Sequence, residues 1–142
     1  MKLLGLLILS TFLSCSSIKS HGTVESFSVF FIDDFENNIV SLNIGRNEIL
    51  SPTLFRKSDI PQLRNLHRVS LTIKRNVVER FYTGRLKAST NINNIDLNSI
   101  IELKLSVDNK ILNKKIELVE GKYLIISYNQ GEINIKQAEF IK

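Results

Sequence analysis

Apolar and polar residues alternate along most of the chain after residue 25, and this pattern predicts β-strands. Regular alternation is typical of a strand that buries one face and exposes the other. It begins at Ser26, where Phe27, Val29 and Phe31 form one apolar face. The same alternation recurs in further segments. The predicted core therefore contains those three residues together with Leu42, Ile44, Val69, Leu71, Ile73, Leu103, Leu105, Ile116, Leu118 and Ile126.

Turn-forming residues separate these segments and predict hairpins. The loop Asp33–Asn38 (DDFENN) is predicted to close a hairpin between the first two strands. Pro52 is expected to end the short apolar piece Ile49-Leu50, because proline cannot donate a ladder hydrogen bond. Further turns are predicted at Gly45-Arg46-Asn47, Arg75-Asn76, Asp108-Asn109-Lys110, Glu120-Gly121-Lys122 and Asn129-Gln130-Gly131.

Two places in the middle of the chain depart from simple alternation. Ser58 can cap a short helical turn over 59–65, with Pro61 in the first turn where proline is tolerated. The strand Val77 to Thr83 admits two phases, one that points Arg80 inward and one that points Glu79 inward. Either phase requires a partner for the inward charge.

Four apolar segments after residue 100 follow one another at about ten-residue spacing, with a turn between each pair, which is typical of an antiparallel meander. The chain shows no alternation of strand and helix patterns. We therefore predict an all-β fold over residues 26–142, an antiparallel β-sandwich of about eight strands, immunoglobulin-like or transthyretin-like.

The first fifteen residues, MKLLGLLILSTFLSC, have a different character. Lys2 is followed by an apolar core from Leu3 to Leu13, a length typical of a secretory signal peptide. It is shorter than the run of about 20 apolar residues that a membrane-spanning helix needs. The segment ends at Ser14 and Cys15, the chain's single cysteine. An ordinary cleaved signal, cut near Ser16 with an incidental cysteine, is the alternative.

Ser14 and Cys15 give this segment a resemblance to the signal of bacterial lipoproteins, although Phe12 stands where those signals usually carry leucine. The resemblance implies cleavage before Cys15 and diacylation of that cysteine, with palmitate-type chains. It divides the chain into a signal (1–14), a polar tether (15–25) and the β domain (26–142). It also implies attachment to a membrane of the bacterial cell envelope, at the outer membrane or a periplasmic face.

The formal net charge is +5, and the basic residues concentrate between Arg56 and Lys87. Arg68 and Lys74 alternate with apolar residues, and Arg85 and Lys87 follow the neighbouring strand. These four residues are therefore a candidate anion-binding patch. Independent surface charges on a solvated strand are the alternative interpretation. Phe81-Tyr82 lies within this basic stretch, and one of the two rings is expected to be buried.

Other chemistry-bearing residues are few. Asp33, Asp34 and Glu36 place carboxylates in one loop and are a calcium candidate, although their spacing is not that of an EF-hand and turn formation also explains them. His21 and His67 stand apart from each other and from Cys15, which is not a zinc pattern. No G-x-S-x-G nucleophile motif or phosphate-binding glycine loop is present.

These features predict a non-catalytic binding or assembly module with no cofactor. The expected partners are the membrane, through the lipid anchor, and another envelope protein or an anionic glycan or lipid, with no nucleic acid expected. The alternative is a small envelope hydrolase or glycan-modifying enzyme that uses Asp33, Asp34, Glu36 or His67.

Overall fold

The computed structural model describes residues 24–33, 35–56, 69–82, 85–97 and 100–139. These residues form an all-β fold, and the described part contains no helix. The predicted helical turn over 59–65 lies outside the described residues. The ten strands are β1 Ser26–Asp33, β2 Asn38–Ile44, β3 Asn47–Phe55, β4 Val69–Lys74, β5 Val77–Tyr82, β6 Arg85–Asn91, β7 Ile100–Val107, β8 Lys110–Glu117, β9 Lys122–Asn129 and β10 Glu132–Glu139.

The strands form two sheets that share one hydrophobic core, the arrangement of a β-sandwich. The six-stranded sheet has the order β10-β9-β1-β4-β5-β6, and the four-stranded sheet has the order β3-β2-β7-β8. Every residue of the predicted core is buried, from Phe27 on β1 to Ile126 on β9. The period-two pattern therefore identified the inward faces correctly.

The prediction of about eight strands is corrected to ten. Strand β6 was missed because its residues are almost all exposed and carry no alternation. The prediction that Pro52 ends a strand is also wrong, since β3 continues to Phe55. Proline is tolerated there because β3 is an edge strand, and its pairing with β2 shifts register between Val40 and Leu42, opposite Pro52.

The predicted connections between strands are partly wrong. Strands β1 and β2 belong to different sheets, so the loop after β1 crosses the sandwich and closes no hairpin. The last four strands form two hairpins, β7–β8 and β9–β10, one in each sheet, and no continuous meander. Strand β9 pairs in parallel with β1, through Phe31 opposite Ile126, so the sandwich is mostly but not wholly antiparallel.

Phe35 shows why the chain crosses over after β1. Its ring is buried, and its centroid lies 5.9 Å from the ring centroid of Phe31 and 5.5 Å from that of Phe55. It also stacks on Tyr128 of β9 at 5.7 Å. Burial of this ring against both sheets favours the crossover over a tight turn, because aromatic burial is a large apolar gain.

One lateral side of the sandwich is closed by bonds between its two sheets. The Lys114 ammonium on β8 donates to the carbonyl of Ile135 on β10 at 3.2 Å. Lys110 donates to the carbonyl of Gly131, and the Gln137 amide donates to the carbonyl of Glu117. These side chains occupy exposed strand edges and reduce their availability for pairing with another chain. The opposite side, where β3 faces β5 and β6, contains a cavity.

Candidate anion-binding site

The cavity lies where the six-stranded sheet extends past the narrower four-stranded sheet. It has a volume of about 490 Å³ and opens to solvent between the end of β3 and the β5–β6 hairpin. Apolar and aromatic walls come from Leu54, Phe55, Val69, Phe81 and Tyr82. Basic side chains come from Arg56, Arg80 and Lys87. The lining contains no carboxylate, so the charges that reach this cavity from its described walls are all positive.

The register of the β4–β5 hairpin directs Arg80 toward the cavity. Arg80 lies opposite Leu71, and Val78 lies opposite Ile73. Because directly opposed residues in an antiparallel pair share a face, Arg80 points to the same side as the fully buried Leu71. The two phases left open by the sequence are thereby resolved, with Arg80 on the inner side and Glu79 on the outer side.

A β-bulge places Lys87 beside Arg80. The pairing of β5 with β6 runs from Arg80 opposite Ala88 to Phe81 opposite Leu86, which leaves Lys87 as an extra residue. Bulges bend a strand and redirect side chains, and they are common next to functional sites. The redirected Lys87 lines the cavity that Arg80 also reaches.

Arg80 and Lys87 have no hydrogen-bond or ion-pair partner within the described part of the chain. The nearest acidic neighbour in the sequence, Glu79, lies on the opposite face of β5, where its carboxylate pairs with Lys74 at 3.1 Å. The cavity therefore collects positive charge that this glutamate does not neutralise. An anionic ligand would supply the missing partner.

Three of the four residues of the predicted basic patch lie within the described residues. Lys87 lines the cavity, and Arg85 lies exposed at the start of β6, opposite Tyr82. Lys74 lies at the far end of β4 from Val69, about 16 Å away by the rise of an extended strand, and is paired with Glu79. Arg68 lies outside the described residues.

Sequence reasoning missed Arg56 and Arg80 as neighbours of Lys87. No signal in the sequence decides this, because Val77 and Val78 are both apolar: placing Val78 inward directs Arg80 inward, and placing Val77 inward directs Glu79 inward. The expectation that Phe81 or Tyr82 is buried is corrected, since Phe81 is half-buried and Tyr82 is 43% exposed. Val78 takes the core position of this strand instead. Phe81 and Tyr82 are both among the residues that line the cavity, Tyr82 from the face shared with Val69 and Phe81 from the face shared with Ser70.

The other candidate residues give no second site in the described region. Asp34 and both histidines lie outside it, and the Asp33 side chain is not described. Glu36 is exposed in the connection after β1. Within the described ranges, no group of three or more His, Cys, Asp or Glu side chains is placed to hold a metal ion.

Cys15 and the apolar segment before it also lie outside the described residues. Over the part of the chain that the structure describes, no helix has the length and apolar character to span a membrane. Comparison with protein-family models, curated proteins and solved structures finds no match to this chain.

Proposed function

We propose that the protein is a non-catalytic lipoprotein of the bacterial cell envelope that binds an anionic ligand in the cavity between β3 and the β5–β6 hairpin. In this proposal, signal cleavage leaves acylated Cys15 at the mature N-terminus. The β domain then serves as a binding module on the outer membrane or a periplasmic face. The finer assignment to an immunoglobulin-like or transthyretin-like topology stays a prediction.

Support for the anchor comes from the N-terminal sequence. An apolar core ends at Ser14 and Cys15, and the chain contains no other cysteine. A lone cysteine cannot form an intrachain disulfide, and exported small domains that keep cysteines usually pair them. The position of Cys15 at the end of the apolar core suggests lipidation, which would give a single cysteine a role.

Support for binding comes from the convergence of Arg56, Arg80 and Lys87 on one cavity whose described lining residues include no carboxylate. This is the observation that carries the proposed function. Basic side chains spaced along a solvated face need no ligand, but these three come from three different strands or strand ends and meet at one opening. The ligand classes that fit an envelope location are an anionic lipid or glycan, or an acidic surface of another envelope protein.

The test is binding of the full chain, held in nanodiscs of neutral phosphatidylcholine, to a panel of anionic ligands. The panel contains lipopolysaccharide, an acidic polysaccharide, inorganic phosphate and long-chain fatty acids. We expect at least one class to bind at low salt and to bind less tightly at physiological salt, because exposed charges are screened. Failure of every class to bind at low salt would contradict the proposal.

A further inference from the structure

We propose that the ligand of this cavity is a single-chain anionic amphiphile, an acyl chain that ends in a carboxylate or a phosphate. The inference rests on the proposed function and narrows it from anions in general to one chemical class. It follows from the way in which apolar and basic groups divide the cavity lining.

The apolar part of the lining suits an acyl chain. Leu54, Phe55, Val69, Phe81 and Tyr82 form most of the wall. Leu54 and Tyr82 are 45% and 43% exposed. A bound acyl chain would therefore cover apolar side-chain surface that is otherwise in contact with water. The volume of about 490 Å³ lies within the range of small-molecule sites, roughly 300–1,000 Å³.

The basic part of the lining suits the headgroup. Arg80 and Lys87 both line the cavity, Lys87 at the bulge in β6, and neither has a partner within the described ranges. A guanidinium and an ammonium together can donate several charge-assisted hydrogen bonds to a carboxylate or phosphate. Both headgroups present the same chemistry here, namely anionic oxygens at the end of an apolar chain.

The lining does not favour a polysaccharide. A sugar carries many hydroxyl groups, and each one buried without a partner is costly. Among the lining side chains that the structure describes, Thr53 and Tyr82 are the two that offer a neutral hydroxyl. A glycan would therefore leave hydroxyls facing the aromatic and aliphatic walls, whereas an acyl chain would not.

The segment that connects two of the cavity-lining residues is net positive in sequence. Residues 57–68 connect Arg56 to Val69, and both of these residues line the cavity. That connecting sequence carries Lys57, Arg64 and Arg68 against Asp59. The sequence of this segment is therefore net positive, which favours an external anion over an anion that this segment supplies.

The experiment uses the full chain in nanodiscs of neutral phosphatidylcholine. The probe is a lysophosphatidic acid with a photoreactive diazirine in its acyl chain, and labelled peptides are identified by mass spectrometry. A diazirine fatty acid and an uncharged diazirine monoacylglycerol are the companion probes. Competitors are palmitate, inorganic phosphate and an acidic polysaccharide.

We expect both anionic probes to label peptides that contain Leu54–Phe55 or Phe81–Tyr82, and palmitate to compete. Changing Arg80→Gln and Lys87→Gln together should reduce labelling about tenfold, since two charge-assisted contacts are lost at a partly exposed site. The control pair Arg46→Gln and Lys104→Gln removes the same charge from exposed positions that do not line this cavity and should change labelling by less than about threefold.

Each other outcome decides against some part of the account. Equal labelling by the uncharged probe would overturn the headgroup assignment. Competition by phosphate or polysaccharide but not by palmitate would overturn the amphiphile while leaving an anion-binding function in place. Labelling by no probe, together with no binding in the ligand panel, would overturn both. Circular dichroism of each variant checks that loss of labelling does not reflect loss of the fold.

Discussion

Asp108 and Ile39 are joined in both directions at one end of the four-stranded sheet. The backbone N–H of Asp108 donates to the Ile39 carbonyl at 2.8 Å, and the Ile39 N–H donates to the Asp108 carboxylate at 2.8 Å. The Asn38 amide donates to the other carboxylate oxygen at 2.7 Å. Asp108 has a φ of 52°, a conformation that Asp and Asn adopt more readily than most residues. This turn thereby fixes the start of β2 beside the end of β7.

The first prediction concerns this connection. Asp108→Ala removes the carboxylate acceptor and places a side chain that disfavours positive φ at the turn. We expect the free energy of unfolding to fall by about 1–2 kcal/mol in urea denaturation. Asp108→Asn is the matched control, because it keeps an acceptor oxygen and tolerates positive φ, and it should lose less than half as much. Equal losses would contradict the role assigned to the carboxylate.

The same contact predicts a pH dependence. Hydrogen bonds from the Asn38 amide and the Ile39 N–H lower the pKa of the Asp108 carboxyl below its ordinary value of 3.8. A carboxyl whose pKa is lower in the folded state stabilises the fold above its unfolded pKa, and this contribution is lost as pH falls through the folded pKa. The stability difference between wild type and Asp108→Asn should therefore be full at pH 6 and should shrink below pH 3.8. A stability difference between the two proteins that stays constant down to pH 2 would contradict this role of the Asp108 carboxylate.

The second prediction tests the core. Leu71 is fully buried at the middle of β4. Leu71→Asp should prevent folding, because a carboxylate at this fully buried position loses its hydration, at a cost of several kcal/mol against a typical total stability of about 5–15 kcal/mol. An ion pair with Arg80, which lies opposite on β5, should offset that cost only in part. Leu71→Ala should cost about 2–5 kcal/mol. Thr72→Ala, which changes the outer face of the same strand, should cost less than about 1 kcal/mol. Circular dichroism and urea titration measure all three, and a folded Leu71→Asp protein would refute this core assignment.

The third prediction tests the aromatic cluster. Phe35→Ala should lower the free energy of unfolding by about 3–5 kcal/mol, because the ring is buried against Phe31, Phe55 and Tyr128. Phe30→Ala is the control: it deletes an equal side chain from the half-buried outer face of β1, where the ring contacts Tyr123 at 5.0 Å. It should cost less than half as much. The urea midpoints of the two variants measure these losses. A larger loss for Phe30→Ala than for Phe35→Ala would contradict the packing described.

The inward residues were predictable from sequence because burial in a strand follows a period of two. Val69, Leu71 and Ile73 alternate with polar residues, and all three are buried. The Arg75-Asn76 hairpin was equally predictable, since its two strands adjoin in the chain. Contacts between distant segments leave no such local signal. The parallel pairing of β1 with β9 joins segments that are far apart in sequence, so alternation cannot reveal it.

The candidate site was predictable only in part, because it depends on register. Lys87 was recognised as a charge next to a strand, but the bulge that directs it into the cavity follows from its pairing with β5. Arg80 was recognised as one of two possible inward residues. Lys74 was grouped with Lys87 because the two were assigned to neighbouring strands of one basic stretch, whereas Lys74 ends β4 and Lys87 lies on β6 at the level of Arg80 and Phe81. Charge density along the chain therefore indicated the region but not the members of the site.

The fourth prediction concerns the anchor. Cys15→Ala should abolish incorporation of labelled fatty acid and should leave the protein uncleaved or release it to the soluble periplasmic fraction. The physical reason is that one acyl chain binds a membrane only marginally, whereas two or more give stable attachment. Cell fractionation and acyl labelling measure both effects. A wild-type protein that takes up no labelled fatty acid would show that the lipoprotein assignment is wrong.

The most direct test of the account is whether anion binding depends on Arg80 and Lys87, the two cavity cations that have no partner among the described residues. The dissociation constant of the tightest anionic ligand from the panel is measured for the wild-type full chain, the Arg80→Gln/Lys87→Gln variant and the Arg46→Gln/Lys104→Gln control, at low and physiological salt. We predict about tenfold weaker binding for the cavity variant only, and a smaller salt dependence because fewer charges contribute. Equal weakening in the cavity variant and the control would show that net charge, and not this cavity, governs binding.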